Sequence, residues 1–317
     1  MAMLAQNVHI LDMFDEAKCF ALVRQLRWPD GPVCPRCQSV SVTKNGHVAT
    51  QPARQQYVCH GCGRYFDDLT GTLFADRRRP LPVWMAALYL MGLNISTRQI
   101  ALELGLAESD AHELCSQLRD AVFVYQEQQV SPLAGIVESD EIYLIAGHKG
   151  EEARVAAAER PGRPRGKHRR RGRGTLETET PPVLGLLERD GALRLYMLPD
   201  VRQETLAPVL CDVVQPGTMV YTDDSTIYAR LEAWGYGHQT VNHGAHEFAR
   251  DDDGDGVREV HINTLEGCWS LLRSWLRPHR GLSQEKLPSY LAFFACVHNL
   301  RVRGMALLSP LLKIVLM

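Results

Sequence analysis

No stretch of this 317-residue chain is apolar for long enough to span a bilayer. The longest candidate, MALLSPLLKIVLM at 305–317, is broken by Pro310 and Lys313. The first residues lack a basic start followed by an apolar block, so no secretory leader is expected. Strong net charge is missing too: 35 Lys and Arg stand against 37 Asp and Glu, which argues against a general polycation. An even cysteine framework is also lacking, because there are nine cysteines and no export signal; this points to a reducing compartment rather than disulfides. What remains is the profile of a soluble cytoplasmic protein without membrane attachment, long enough for two or three domains.

The near-zero net charge conceals an uneven distribution. RPGRPRGKHRRRGR at 160–173 carries Arg160, Arg163, Arg165, Lys167, Arg169, Arg170, Arg171 and Arg173. Such a Gly- and Pro-rich run is a solvated linker when free and a phosphate-binding segment when nucleic acid is present. Acid concentrates in DDDGDG at 251–256. That run imitates the start of a calcium loop, but its twelfth position is Ile262 rather than Glu, so a flexible acidic loop is the simpler account.

Four of the cysteines form two knuckles, CPRC (Cys34, Cys37) and CHGC (Cys59, Cys62). Two-residue spacing turns both thiolates of a knuckle toward one tetrahedral ion, and two knuckles complete a four-sulfur shell. One structural Zn²⁺ in a zinc ribbon is expected. His60 lies inside the second knuckle with no vacancy to fill and is expected to be exposed. The remaining cysteines, scattered among apolar neighbours, read as small buried hydrophobes.

Residues 80–125 are helical in pattern. Leu88, Tyr89 and Leu93, then Ile100 and Leu104, then Leu114, Leu118, Ala121 and Val122 recur at helical spacing, with Ser96 as a start and Gly105 as a stop. Helix, Gly-containing turn and helix outline a helix-turn-helix; a plain helical linker fits the same residues.

Beyond residue 131 the pattern turns to strands. GIVESDEIYLIAG at 135–147 sets Glu138, Asp140 and Glu141 among Val137, Ile142, Leu144 and Ile145. PPVLGLLERDGALRLYMLPD reads as a hairpin turning at Asp190-Gly191. ETLAPVLCDVV reads as a helix, and GTMVYTDDSTIYARLEAWG as strand, acidic turn and helix. Three strands, a helix and a fourth strand is the order of a ribonuclease-H-like core. In that order Asp140 lies mid-strand and Asp223 ends the fourth strand, where two carboxylates repel unless a divalent cation lies between them. HINTLEGCWSLLRSWL offers a third acid, Glu266, near the start of an amphipathic helix. Plainer accounts exist for each acid. Asn263 and Glu266 could form a capping box, Asp223 and Asp224 could be turn residues, and Glu138 and Glu141 could face solvent or an edge.

The blocks SDEIY, VYTDD and HINTLEGCWSLLRSWL…YLAFFACVHNLR resemble the catalytic segments of DDE transposases from bacterial insertion sequences. The opening LRWPDGPVCPRCQS…YVCHGCGRYFDDLTGTLF is similar to the zinc ribbon of the class called fifteen-ninety-five, with its ISXO2-like transposase domain. The resemblance implies an α/β fold: a ribonuclease-H-like mixed sheet with flanking helices, preceded by the ribbon and a helix-turn-helix-like segment. It implies Asp140, Asp223 and Glu266 as ligands of two Mg²⁺ or Mn²⁺, with His261 and Asn263 behind them. His298 and Asn299, on the last long helix, are weaker candidates. It also implies DNA as partner, through terminal inverted repeats and target, and a homo-oligomer on DNA in the nucleoid. Arg163, Arg165, Lys167, Arg169, Arg170, Arg171 and Arg173 would meet DNA. The expected layout is a ribbon with a leading helix at 1–75 and a helical DNA-binding or linker segment at 76–130. A catalytic domain at 131–304 follows, with a basic insertion at 148–180, and then a tail at 305–317. The implied activity is metal-dependent strand cleavage and transfer. A catalytically inactive DNA-binding relic or regulator, or a stand-alone nuclease of the same fold, stays open.

Overall fold

Asp15 starts the first ordered element by accepting a hydrogen bond from the Lys18 amide at 2.8 Å, which caps α1 (Glu16–Arg27). The computed structural model describes residues 14–128, 131–148, 174–177, 179–252, 254–279, 281–301 and 304–317. These divide into two compact units, one from residues 1–125 and 300–317, the other from 126–299. The basic run 163–173 lies outside the described residues.

In the first unit, α1 precedes a three-stranded antiparallel sheet, β1 (Val42–Val48), β2 (Gln51–Cys59) and β3 (Tyr65–Asp67). Trp28, Tyr57 and Phe66 form its small core, with ring centroids 5.2 to 6.0 Å apart. Asp68 is fully buried and accepts from Arg24 at 2.7 Å, the Gln55 amide at 2.7 Å and the Tyr57 hydroxyl at 3.1 Å. Burial pushes its carboxyl up, while these donors and the Arg24 charge pull it down. Three helices follow: α2 (Leu81–Gly92), buried on nearly every side, α3 (Thr97–Glu103), capped by Ser96, and α4 (Glu108–Gln128). Gly105 ends the α3 turn at φ +62, a conformation that suits glycine.

The second unit holds β4 (Ile136–Tyr143), β5 (Pro182–Glu188), β6 (Leu193–Met197), α5 (Gln203–Val213), β7 (Met219–Asp223) and β8 (Gly237–Val241). It ends with α6 (Asn263–Leu276) and α7 (Leu287–Leu300). The sheet order is β6-β5-β4-β7-β8, antiparallel across β6-β5-β4 and parallel across β4-β7-β8. This mixed sheet, with α5 over one core and α6 and α7 over another, is the ribonuclease-H-like arrangement. Among the described residues no single helix is long and apolar enough to cross a membrane.

Three readings of the sequence change. The helix expected after Asp223 is two short 3₁₀ turns, Thr226–Tyr228 and Glu232–Trp234, leading into β8. Gly235, at φ +92, ends the second turn and lets the chain return to the sheet. Cys211 is exposed, because the buried stripe of α5 is Leu206, Leu210 and Val213. The stretch expected as a tail forms α8 (Leu308–Val315), whose Leu308, Leu311, Leu312 and Val315 are buried in the first unit. α8 packs on α1 and α2, and a Cβ at Gly92 would lie 2.7 Å from Leu307 Cδ2 and 3.2 Å from Leu311 Cδ1.

Gly185 deserves a separate word, because it pairs directly with Asp140 across β4 and β5. A Cβ there would overlap the ring of Trp269 and lie 2.9 Å from Leu265 Cδ1, both on α6. The bare backbone of β5 is thus the seat of the Trp269 indole. Gly185→Ala is expected to cost about 1–3 kcal/mol by overpacking. Equilibrium denaturation followed by tryptophan fluorescence checks this, and an unchanged midpoint would show that α6 can shift at no cost.

Candidate active site and zinc centre

Glu138 and Asp140 are two apart on β4 and therefore project from the same face of the sheet. The expectation that Glu138 faces solvent or an edge fails, because it has no exposed surface at all. Arg189 Nε donates to its Oε1 at 3.1 Å, and the Leu265 amide donates to its Oε2 at 2.9 Å. Arg189 also donates to the carbonyls of Glu259 at 2.6 Å and His261 at 3.0 Å, and its guanidinium lies 4.8 Å from the centre of the Tyr221 ring.

Leu265 is the third residue of α6, so its amide is one of the donors a helix leaves unpaired. The helix has Ile262 at its N-cap and no side-chain cap of its own; the Asn263…Glu266 capping box is not formed. Glu138 takes that role from the sheet, with its negative charge at the positive end of the helix.

The next face-sharing pair lies one turn further along. Trp269 Nε1 donates to Asp140 Oδ2 at 2.8 Å, and the Glu141 amide donates to Oδ1 at 2.8 Å. Asp223 ends β7 and accepts from the Ser225 amide at 3.0 Å. Glu266, in the first turn of α6, is exposed and lies 3.5 Å from His243 Nδ1. Burial pushes the Asp140 carboxyl above its usual range; the Trp269 and Glu141 donors oppose this, and the charges of Asp223 and Glu266 add to it. The three acids therefore share one field, although among the described residues only the Cys₄ set brings its ligand atoms within 4.8 Å of one another. The donor set is all oxygen, which suits hard divalent cations such as Mg²⁺ or Mn²⁺.

The other sequence candidates separate clearly. His261 touches Glu138 (3.4 Å) and Arg189 (3.1 Å), on the side of the helix cap. Burial and the neighbouring Arg189 charge hold its pKa down, against the opposing pull of Glu138. Asn263 is exposed at the start of α6. Asn299 exchanges two hydrogen bonds with the backbone of Leu193, at 2.8 and 2.9 Å, and pins α7 to β6. His298 Nε2 lies 3.8 Å from Cys268 Sγ. Glu141 is half-buried and accepts from the Tyr228 hydroxyl at 3.0 Å. Arg189, His243 and Gly185 are not marked by any local motif, and Trp269 reads in the sequence only as part of the apolar face of the Glu266 helix, not as a donor to Asp140. The NHGAHEF stretch, histidine-rich between a strand and the Glu266 helix, was the available signal for His243.

In the ribbon, Cys34 and Cys62 Sγ are 3.8 Å apart, Cys37 and Cys59 Sγ 3.5 Å, and all four atoms lie within 4.8 Å. A tetrahedron of ~2.3 Å Zn–S bonds has edges of about 3.8 Å, so the cage has the size a structural zinc requires. His60 is exposed outside it, with Nε2 3.1 Å from Thr43 Oγ1.

Two substitutions test this construction. Glu138→Ala leaves Arg189 and the Leu265 amide without their carboxylate and is expected to cost about 3–5 kcal/mol in urea denaturation; a loss under 1 kcal/mol would remove Glu138 as the anchor of α6. Asp140→Asn acts in the opposite direction. A carboxyl whose pKa is raised by folding destabilises the fold above its unfolded pKa, and that penalty fades as pH falls through the raised value. Without added Mg²⁺ at pH 7, the variant is expected to melt about 2–4 °C higher than wild type. The difference should close on acidification, and Mg²⁺ should stabilise only the wild type. A melting difference that stays the same between pH 7 and mild acid would show that the Asp140 carboxyl is not held above its usual range.

Comparison with known proteins accords with both units. The ISXO2-like transposase domain matches residues 132–296, and the transposase zinc-ribbon domain matches residues 14–65. An uncharacterized protein in transposable element ISH50 of Halobacterium salinarum is 34% identical over 283 residues, covering 88% of this chain and 89% of that one. An uncharacterized transposase-like protein of Haemophilus influenzae is 28% identical over 95 residues, covering 30% of this chain and 71% of its own. Among solved structures, a pre-cleavage Mos1 transpososome shares 12% identity over 69% of this chain and 79% of that chain, with a TM-score of 0.22. The Mos1 strand transfer complex shares 13% over 66% and 72%, also with a TM-score of 0.22. Both superpositions are too loose to bear on mechanism. The domain match over more than half the chain, and the halobacterial relative aligned along nearly all of both sequences, place this protein in the ISXO2-like transposase family.

Proposed function

We propose that the protein is an active transposase that binds the terminal inverted repeats of its element, cuts a DNA strand and joins the 3′ end to target DNA. Asp140, Asp223 and Glu266 are the residues that would hold two Mg²⁺ or Mn²⁺ ions. The single observation behind this reading is the placement of the three acids: Asp140 at the centre of β4, Asp223 at the end of β7, which pairs with β4, and Glu266 in the first turn of α6, whose Leu265 and Trp269 are hydrogen-bonded to β4. Acids on a strand centre, a strand end and a helix start, with the Asp140 carboxyl pushed up first by burial and further by the other two, are costly unless a cation is to be held there. Bound divalent ions supply Lewis-acid polarisation of the reacting phosphate and lower the pKa of an attacking water or hydroxyl.

The chain's own part is orientation. Trp269 and the Glu141 amide fix both oxygens of Asp140, so that carboxylate cannot rotate away. The Ser225 amide fixes one oxygen of Asp223, and Glu138 fixes the start of the helix that carries Glu266. DNA carries the substrate phosphates, the basic run 163–173 would neutralise some of them, and an assembly of two or more copies on nucleoid DNA would bring two ends together.

The test is a strand-transfer assay with purified protein, the element's ends and Mg²⁺ or Mn²⁺. Joined product is expected from wild type, with a loss of at least about 10³-fold in Asp223→Asn, since the neutral amide no longer holds the cation. Repeat binding with neither cleavage nor joining, in both metals, would replace this reading with an inactive DNA-binding protein. Cleavage without joining would replace it with a nuclease.

A further inference from the structure

We infer that Tyr228 is a positioning residue of the acidic site: its hydroxyl, bridging to Glu141 and Ser139, sets the gap between the strand that carries Asp140 and the strand that carries Asp223. The inference rests on the transposase reading and deepens its metal site. β4 and β7 pair as Ile136 with Met219, Val137 with Val220 and Glu138 with Tyr221, and among the described residues the ladder ends there. Continued in the same register it would set Asp140 opposite Asp223, two positions past the last pair. Each strand stays paired on its other side, β4 with β5 as far as Tyr143 and β7 with β8 as far as Asp223. The two acids therefore stand at the mouth of a seam whose backbone hydrogen bonds have stopped, and their charges act to widen it.

Tyr228 crosses that seam. It has no exposed surface and belongs to the apolar core formed with Val137, Leu184 and Val220. Its hydroxyl donates to Glu141 Oε2 at 3.0 Å and accepts from Ser139 Oγ at 3.3 Å. Ser139 and Glu141 flank Asp140 on β4, and side chains alternate along a strand, so both lie on the face opposite Asp140. At its other end Tyr228 stands five residues past Asp223, and the link between them is tightly closed. The Ser225 amide donates to Asp223 Oδ1 at 3.0 Å, and the Tyr228 amide donates to the Ser225 carbonyl at 3.1 Å. The bridge thus runs from the end of β7 to both neighbours of Asp140, behind the space that the carboxylates face. Trp269 holds Asp140 from the front, and Tyr228 holds its strand from behind. Mg²⁺ accepts only near-ideal octahedral geometry, with oxygens at ~2.0–2.1 Å, so the width of the seam decides whether both acids can reach one ion. The Tyr228 hydroxyl fixes that width without taking a coordination position.

The test compares the full chain as wild type, Tyr228→Phe, Glu141→Ala, Glu141→Gln and the Tyr228→Phe/Glu141→Ala pair. It reads Mn²⁺ affinity by calorimetry, strand transfer in Mg²⁺ and in Mn²⁺, and urea denaturation without metal. Tyr228→Phe keeps the ring in the core and removes only the bridge. Its Mn²⁺ affinity is expected to fall about 10-fold or more. Joining is expected to fall further in Mg²⁺ than in Mn²⁺, because Mg²⁺ tolerates distortion least. Glu141→Ala is expected to match it, and the pair to be no worse than either single variant. Glu141→Gln keeps an acceptor and is expected to retain most of the affinity. If Tyr228→Phe does not fold, Glu141→Ala, at a half-buried side chain, makes the same comparison. Unchanged Mn²⁺ affinity and an unchanged ratio of Mg²⁺ to Mn²⁺ activity, whatever the urea midpoint, reduce the bridge to packing; they overturn the inference and leave the transposase reading intact. A loss in Glu141→Gln as deep as in Glu141→Ala also overturns it, by making the Glu141 charge itself the determinant. A wild type that binds Mn²⁺ but joins no DNA fails the transposase reading, and the affinity series still decides on the bridge. A wild type that binds no Mn²⁺ overturns both.

Discussion

The geometry of the second unit depends on one carboxylate that water cannot reach. Removing Glu138 from water costs several kcal/mol, which a guanidinium and a helix amide must offset together. The constraint that results is unusually tight. Leu265 and Trp269 are one turn apart on α6, Glu138 and Asp140 are two apart on β4, and each pair is hydrogen-bonded to the other. Two such bonds fix both the rotation and the axial position of the helix on the sheet. Glu266, next in sequence to Leu265, then has no freedom of position beyond its own side chain. The location of Glu266 follows from that of Glu138.

The same device occurs in the first unit. Asp68, also without exposure, gathers an arginine from α1, an amide from β2 and a tyrosine hydroxyl. In both units a sheet is joined to a helix by an acid without exposure that also accepts from an arginine. Hydrophobic contact sets how much surface is buried but tolerates sliding, whereas a buried ion pair with directed hydrogen bonds permits one alignment.

Much of this was legible in the sequence, for reasons that differ from residue to residue. The zinc ligands could be read because knuckle spacing is local. The hairpin could be read because Asp190-Gly191 is a turn signal, and indeed Asp190 sits at φ +58. Asp140, Asp223 and Glu266 lie on the strands and helix expected of them. Glu138 was not legible, since a period-two pattern says which residues share a face and not which face is dry. β8 was missed because GHQTV is polar for a strand paired on one side only. Pro310 interrupts the last apolar stretch in the sequence, yet proline in the first turn of a helix breaks no hydrogen bond and α8 forms around it. Arg189 and Trp269 act across distances in sequence that no local pattern covers.

The return of α8 to α1 and α2 has a consequence for biosynthesis. A domain assembled from two segments that flank another unit in the sequence cannot close its core until the later segment has been made. Here the ribbon and helices are made first but receive Leu308, Leu311, Leu312 and Val315 only after the entire ribonuclease-H-like unit has emerged. A message or gene copy interrupted anywhere before that point is expected to yield an N-terminal half with an open apolar face, a substrate for proteases. The chain order thus ties the presence of one module to completion of the other.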